Sequence, residues 1–443
     1  MANKKPVQKP ISAKAKVTSR ALGTAPVIPV FPFSFNIKLI ILAVLGFVLY
    51  ANTLRDEYCL DDGIVIEKNQ YVQHGFDGIG KIMTTDAYDS YYKEMNAGQQ
   101  LSGGRYRPLS EVIFAIEHAV FGETTDHSIA MQRHLFSIIS YMLCILAIFF
   151  FLSKYLLAKF KYGEDMAFFA SVLFAIHPLH TEVVANVKSL DEILSILFIT
   201  LTFIFSLRYI DTKKLPYMII GVVCFFLSLL AKEYAITLIV LLPIVFYLLR
   251  TKKVLQIFIF TLPYLGVLLI YMKLRYNAVG FNGHIATNEI LDNPYLLATH
   301  TQKIATEIFV LGKYLWMLIV PYPLLSDYSY DMIPYHNFTD ISVLFTILLY
   351  IGLGVWCLWL LYKRNVLAFA VLFYLFCLSL VSNLIMDIGA TMGERLIFHS
   401  SLGFVILLSY GVFELIKKWD LQMKRNVIFG LTSLLVIVCG YET

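Results

Sequence analysis

The chain has 443 residues, of which 58% are hydrophobic and only 15% charged, with a mean hydropathy of +0.70. Soluble domains are roughly 45–50% apolar and about a quarter charged, so this composition excludes a soluble globular protein and indicates a membrane protein. The net charge of +5 is scattered along the chain and forms no nucleic-acid-binding patch, so no nucleic-acid partner is expected.

Residues 1–35 carry Lys4, Lys5, Lys9, Lys14, Lys16 and Arg20 with no acidic residue, and read as a basic, disordered cytoplasmic tail. The tail is longer than the n-region of a cleaved signal peptide, so none is expected. Residues 36–443 follow as one transmembrane domain. A helix needs about 20 apolar residues to cross the bilayer core. Such runs lie near 36–54, 131–153, 165–179, 190–209, 216–231, 235–249, 254–273, 341–362, 365–386, 397–416 and 426–441. They predict an all-α polytopic protein of about eleven spans.

Basic turns set the orientation. Lys154, Lys159 and Lys161 follow the second run, Arg208, Lys213 and Lys214 the fourth, and Arg250, Lys252 and Lys253 the sixth. Lys363, Arg364, Lys417, Lys418, Lys424 and Arg425 complete the cytoplasmic side. Two long segments then face outward. The first, 55–130, holds 13 acidic residues against 6 basic ones and is too long for a connector. The second, 274–340, contains the Asn337-Phe338-Thr339 sequon and an apolar stretch, 301–322, that carries Lys303, Glu307 and Lys313. Counting that stretch as a span would put Lys363 and Arg364 outside, so it reads as an interfacial or re-entrant helix. Five of the six cysteines lie in apolar runs, which gives neither a disulfide framework nor a zinc spacing.

Ionisable groups at membrane depth are costly and mark candidate functional sites. On the outer side stand Asp61-Asp62-Gly63, Arg105-Tyr106-Arg107-Pro108, His177-Pro178-Leu179-His180-Thr181-Glu182, Lys188, Asp191-Glu192, Lys232-Glu233 and Gly393-Glu394-Arg395. Each also has a structural reading. Asp61-Asp62-Gly63 is common turn chemistry. Lys232 can snorkel from a hairpin, and Arg395 can pair with Glu394 or Asp387. His177 and His180 are either two metal ligands beside Glu182 or satisfied helix-ending histidines. Together the groups describe a water-facing cleft with both carboxylates and cations. A carboxylate there can take a proton from a hydroxyl, and the cations can hold a lipid phosphate as leaving group.

The stretches Leu60-Asp61-Asp62-Gly63-Ile64, Tyr106-Arg107-Pro108-Leu109, His177-Pro178-Leu179-His180-Thr181-Glu182, Ala231-Lys232-Glu233-Tyr234, Asp327-Tyr328-Ser329 and Gly393-Glu394-Arg395-Leu396 come in one order. In that order they resemble the membrane half of the transmembrane and tetratricopeptide-repeat O-mannosyltransferases. More distantly, the chain is similar to the protein O-mannosyltransferases of the GT-C superfamily. The resemblance implies a GT-C bundle and inverting transfer of a hexose, typically mannose. The donor would be a polyprenyl or dolichyl phosphate carrier, and the acceptor Ser or Thr of a protein.

The same resemblance implies roles. Asp61 would be the catalytic base, and Asp62 would orient it or help place the acceptor. Lys232, Arg395 and Arg107 would bind the donor phosphate, while His177, His180, Glu182, Glu233 and Glu394 would line the donor pocket. No cofactor and no metal are expected. His399-Ser400-Ser401 stands where relatives have an aromatic-proline turn. Relatives continue into lumenal repeats whereas this sequence stops at Thr443, which is read either as the membrane part of a longer protein or as a short member. A GT-C enzyme acting on a lipid or polysaccharide acceptor, and a transporter or flippase, stay open as alternatives. The compartment reads as a bacterial inner membrane, or alternatively the endoplasmic reticulum membrane, with the site facing periplasm or lumen.

Overall fold

Every regular element among the described residues is helical, as the spacing of the apolar runs predicts. The structure is a computed structural model and describes residues 28–59, 61–95, 104–122, 127–280, 290, 293–325, 327–328 and 332–442. Residues 1–27 of the expected tail, Leu60 and Ser329 of the motifs, and the acidic Glu123 and Asp126 lie outside the described residues.

Among the described residues, thirteen α-helices have ten or more residues. They are α1 (Phe35–Val48), α2 (Pro108–Phe121), α3 (His127–Phe151), α4 (Gly163–Ala175), α5 (Leu190–Thr212), α6 (Leu215–Ala231), α7 (Leu238–Leu249), α8 (Val254–Val279), α9 (His300–Ile319), α10 (Ile341–Tyr362), α11 (Leu367–Ser379), α12 (Phe398–Leu415) and α13 (Leu421–Glu442). Among the described residues, six apolar helical stretches are long enough to cross a membrane, and a seventh is a pair bent by 58° between Gly163–Ala175 and Pro178–Ala185. Pro178 causes that bend, because the residue before a proline is pushed out of the helical region. Four shorter apolar helices occupy the remaining runs, at Phe35–Val48, Leu215–Ala231, Glu233–Leu249 and Leu367–Ser379. Each run read from the sequence therefore holds an apolar helix, although only six reach full spanning length. The chain is a multi-pass membrane protein.

α5 sits at the centre, buried on nearly every side from Leu190 to Leu207. At the rim, α10 turns Ile341, Phe345, Leu348, Ile351, Val355 and Leu358 outward, a stripe suited to lipid. The basic turns meet acidic partners at one end of the bundle. Lys38 pairs with Asp165 at 2.9 Å, Lys154 with Glu164 at 3.6 Å and Arg250 with Asp211 at 2.6 Å.

At the other end, the first long loop folds into short helices under α2 and has its own core. Val65, Ile66, Val72, Ile82 and Phe114 pack there against Val187, Leu190 and Leu194, next to the head of α5. α9 opens with a reciprocal capping box between Thr299 and Gln302, which fixes its first turn. It touches this same end along its length. Lys303 meets Asp387 at 2.6 Å, the Tyr314 hydroxyl bonds the Gly393 carbonyl at 3.2 Å, and His177 Nε2 lies 3.1 Å from the Leu318 carbonyl. α9 therefore lies along the end that carries the outer loops.

Candidate active site

Asp61 and Asp62 follow each other in a turn but have opposite surroundings. The Asp61 carbonyl accepts from Ile64 and Val65 at the head of the short helix Gly63–Glu67, and its carboxylate is left to point outward. There Oδ2 lies 3.1 Å from Lys188 Nζ and 3.6 Å from Arg395 Nη2, with the side chain 30% exposed. Partial burial pushes this carboxyl up, but Lys188 and Arg395 outweigh it and hold it below the usual carboxylate range. Asp62 is fully buried, and both its oxygens accept backbone N–H groups, from Cys59 at 3.1 Å and Lys188 at 2.7 Å. It fastens the loop to the head of α5 and so sets the position of Asp61. Burial pushes it up to about 6, against the pull of those two N–H groups.

The segment Val187–Ser189 and the first turn of α5 carry the charges that organise the rest. Arg107 reaches Asp191 at 3.2 Å and Glu233 at 3.0 Å. Gly104, at φ +69°, turns the chain just before Arg105 and Arg107, a backbone conformation that favours glycine. Arg105 stacks on Tyr88, 4.6 Å from the ring centre. Arg395 is clamped by Glu182, which accepts its backbone N–H at 2.9 Å and its Nη1 at 3.1 Å. Its Nη2 faces Asp61, so Asp61, Arg395, Arg107, Lys188 and Glu182 gather at one end of the bundle from four distant stretches of chain. A small cavity, with room for about one water, opens beside them, with Arg105, Arg107 and Lys188 in its wall.

Four of the expected site residues have partners away from the cavity. Lys232 does not reach an open site. It is 4% exposed, held by Glu192 and 3.5 Å from Asp191, so its charge is already matched. His180 is fully buried, with Nδ1 2.9 Å from the Tyr141 hydroxyl and Nε2 2.9 Å from Ser401 Oγ, which leaves no nitrogen for a ligand. His177 spends its ring on the Leu318 carbonyl and the Leu179 N–H. Glu394 accepts from the Leu325 N–H at 2.6 Å and the Tyr328 hydroxyl at 3.1 Å, pinning the second outer loop. These four hold the site together and do not line the cavity. Among the described residues, no three His, Cys, Asp or Glu side chains converge as a metal site.

Sequence reasoning placed Lys188, Asp191 and Glu192 in the cleft without a role, and Glu111 and Tyr88 went unnoticed. The available signal was the i, i+3, i+4 spacing of Lys188, Asp191 and Glu192 at the head of an apolar run. His399, in the unusual turn, lies 3.1 Å from Glu192 Oε2 and 3.0 Å from Ser195 Oγ, stacked on Tyr234. It buttresses the carboxylate that holds Lys232.

Residues 108–274 match the family model described as dolichyl-phosphate-mannose-protein mannosyltransferase. Among similar proteins, the protein O-mannosyl-transferase F38B6.6 of Caenorhabditis elegans is 25% identical over 409 residues, covering 90% of this chain and 54% of that protein. The protein O-mannosyl-transferase TMTC2 of Mus musculus is 26% identical over 333 residues, covering 70% and 37%. The Homo sapiens TMTC2 is 22% identical over 483 residues, covering 90% and 55%. The Archaeoglobus fulgidus oligosaccharyltransferase, solved with a tethered acceptor peptide, aligns with a TM-score of 0.47 and 13% identity over 92% of this chain and 54% of that one. The chain spans about half the length of the curated relatives it matches over most of its own length. The resemblance drawn from the motifs thus stands: over 90% of its length the chain is similar to proteins named protein O-mannosyl-transferases, and a mannosyltransferase family model matches its core.

Proposed function

We propose that this protein transfers a hexose, mannose by its relatives' names, from a polyprenyl or dolichyl phosphate carrier to Ser or Thr of a protein on the extracytoplasmic side. The observation that carries this reading is Asp61, a partly exposed carboxylate set by Asp62 and flanked by Arg395 and Lys188. Ionised Asp61 accepts the proton of the acceptor hydroxyl. The hydroxyl oxygen attacks C1 of the sugar, and the bond from C1 to the phosphate oxygen breaks with its electron pair leaving on the phosphate. Arg395 and Arg107 meet that growing charge in a partly dry site, where fixed cations act most strongly. The proposed step uses side chains alone.

The geometry also links base to donor. Arg395 and Lys188 keep Asp61 a weak base at rest. A phosphate that takes up Arg395 removes one of those cations, so Asp61 gains basicity only when the donor is in place.

The test is release of labelled mannose from polyprenyl-phosphate-mannose by purified protein, with and without a Ser/Thr-rich peptide. Peptide-dependent transfer is expected, and Asp61→Asn should lower it by about 10²–10⁴-fold, the usual worth of a general base. Normal turnover in Asp61→Asn would remove Asp61 from that role. Release that needs a lipid or glycan acceptor, and ignores the peptide, would move the acceptor class.

A further inference from the structure

Among the described cations of the site, Arg105 stands apart. Arg107 gives Nε to Glu233 and Nη1 to Asp191, Lys188 faces Asp61, Lys232 is held by Glu192, and Arg395 is clamped by Glu182. No carboxylate or hydrogen-bond acceptor among the described residues meets the Arg105 guanidinium, which rests on the Tyr88 ring.

The stem of this side chain is as firmly fixed as its head is free. Asp86 is 4% exposed, and both its oxygens accept backbone N–H groups, Oδ1 from Tyr88 at 2.8 Å and Oδ2 from Arg105. The Arg105 carbonyl in turn accepts the Ala87 N–H at 2.9 Å. One buried carboxylate thus sets both the cation and the ring beneath it. Because its oxygens are occupied by the backbone, it does not draw in the guanidinium. The Gly104 carbonyl extends the clamp by accepting from Arg275 Nη2 at 3.3 Å. A guanidinium on an aromatic face keeps its five N–H donors in its own plane, so they stay available at its edge.

Position matters as much as availability. In-line displacement puts the base and the departing phosphate on opposite sides of C1, so a cation in contact with Asp61 starts on the side of the base. Lys188 and Arg395 start there, at 3.1 and 3.6 Å. Arg105 makes no ion pair with Asp61, yet it is near enough to act on it. Against the upward push of burial, Lys188, Arg395 and then Arg105 hold the Asp61 carboxyl low. A free fork near the base, but not bonded to it, suits the leaving group. Phosphate oxygens take paired N–H donors from such a fork. Binding there breaks no ion pair, whereas drawing Arg107 away would leave Asp191 or Glu233 short of a partner. Arg105 is part-exposed, and the phosphate stays on its open side, because the cavity in whose wall it stands has room for about one water.

We propose that Arg105 anchors the phosphate of the lipid-linked donor, gripping its oxygens with the guanidinium edge while Asp86 and Tyr88 hold the side chain in place. The inference rests on the glycosyl-transfer reading above and names a donor contact outside the expected set of Lys232, Arg395 and Arg107.

The experiment measures binding in the absence of acceptor. Purified protein in detergent is titrated with polyprenyl phosphate and with uncharged polyprenol, followed by intrinsic fluorescence. Arg105→Gln should weaken polyprenyl phosphate binding by about 10–100-fold, the worth of hydrogen bonds to a charged group, and leave polyprenol binding as in wild type. Arg105→Lys, which keeps the charge without the fork, should fall between. The guanidinium holds no other element, so the unfolding temperature of Arg105→Gln should stay near that of wild type. Unchanged affinity for polyprenyl phosphate in Arg105→Gln, or an equal loss for polyprenol, overturns the anchor. A second measurement needs no variant. Phenylglyoxal should label Arg105 in wild type, read by peptide mass spectrometry, and polyprenyl phosphate should protect it, while polyprenol or inorganic phosphate at the same concentration should not. Absence of protection by polyprenyl phosphate, or equal protection by inorganic phosphate, overturns the assignment to the lipid carrier. Phosphate binding through Arg105 without sugar transfer would retain the anchor and remove the transferase reading. Transfer with a donor KM unchanged in Arg105→Gln would do the reverse.

Discussion

Asp61 and Asp62 have the same side chain, yet one is a candidate base and the other a fastener. The difference lies in partners that sequence does not display: side-chain cations for Asp61, backbone N–H groups for Asp62. The charges at the span boundaries were legible because ionisable groups are rare there. Which of them remain available was not, because pairing depends on residues far along the chain. Lys232 and His180 illustrate this, since each carries a reactive group that the fold has already satisfied. The buried Asp62 gives a pH prediction. Its folded-state carboxyl, at about 6, holds a proton more tightly than the ordinary 3.8 of the unfolded chain. The stabilisation is therefore complete below about 3.8 and is lost as pH rises through about 6, to the extent of about 3 kcal/mol. Asp62→Asn cannot titrate, so the difference in unfolding temperature between wild type and this variant should shrink from pH 4.5 to pH 7. A difference that ignores pH would show that Asp62 is not buried as a carboxyl.

Helix ends and helix contacts give predictions of another kind. At the head of α5, Asp191 and Glu192 share Lys232, which the sequence reading assigned to a phosphate. Removing one partner of a buried ion pair leaves an uncompensated charge and costs about 3–5 kcal/mol. Lys232→Met should therefore lower the unfolding temperature or the yield of folded protein, and adding Glu192→Gln should recover part of it. A Lys232→Met protein of normal stability that has lost donor affinity would return Lys232 to the phosphate. Within α12, two glycines make an internal comparison. A Cβ on Gly403 would meet the Ala370 carbonyl oxygen at 2.4 Å, whereas one on Gly411 meets nothing within 4 Å. Small residues let membrane helices approach closely. Gly403→Ala should push α11 and α12 apart and destabilise by about 1–3 kcal/mol, while Gly411→Ala should be neutral or gain up to about 1 kcal/mol from helix propensity. Thermal unfolding of the two variants side by side checks both signs.

For the whole molecule, the apolar runs fix the helical architecture because a bilayer-facing helix must be long and continuously apolar. The first outer loop was harder to read. Its second core draws Val65, Ile66 and Val72 against Leu190 and Leu194, residues that belong to a distant span, so no local period announces it. Likewise the cavity is made where that loop meets the heads of α2 and α5, which is why Glu111 escaped notice. Orientation is the remaining global property, and the two ends of the bundle differ enough to test it. One end gathers Lys38, Lys154 and Arg250 with their acidic partners, and the other gathers Asp61, Arg107 and Arg395 with the exposed sequon Asn337-Phe338-Thr339. Positive turns stay in the cytoplasm. On expression in microsomes, Asn337 should therefore face the lumen and acquire a glycan, seen as a mobility shift that glycosidase reverses and Asn337→Gln abolishes. A sequon inserted beside Lys252, between α7 and α8, should stay unmodified. Modification of the inserted site, with none at Asn337, would invert the molecule and place Asp61 on the cytoplasmic side.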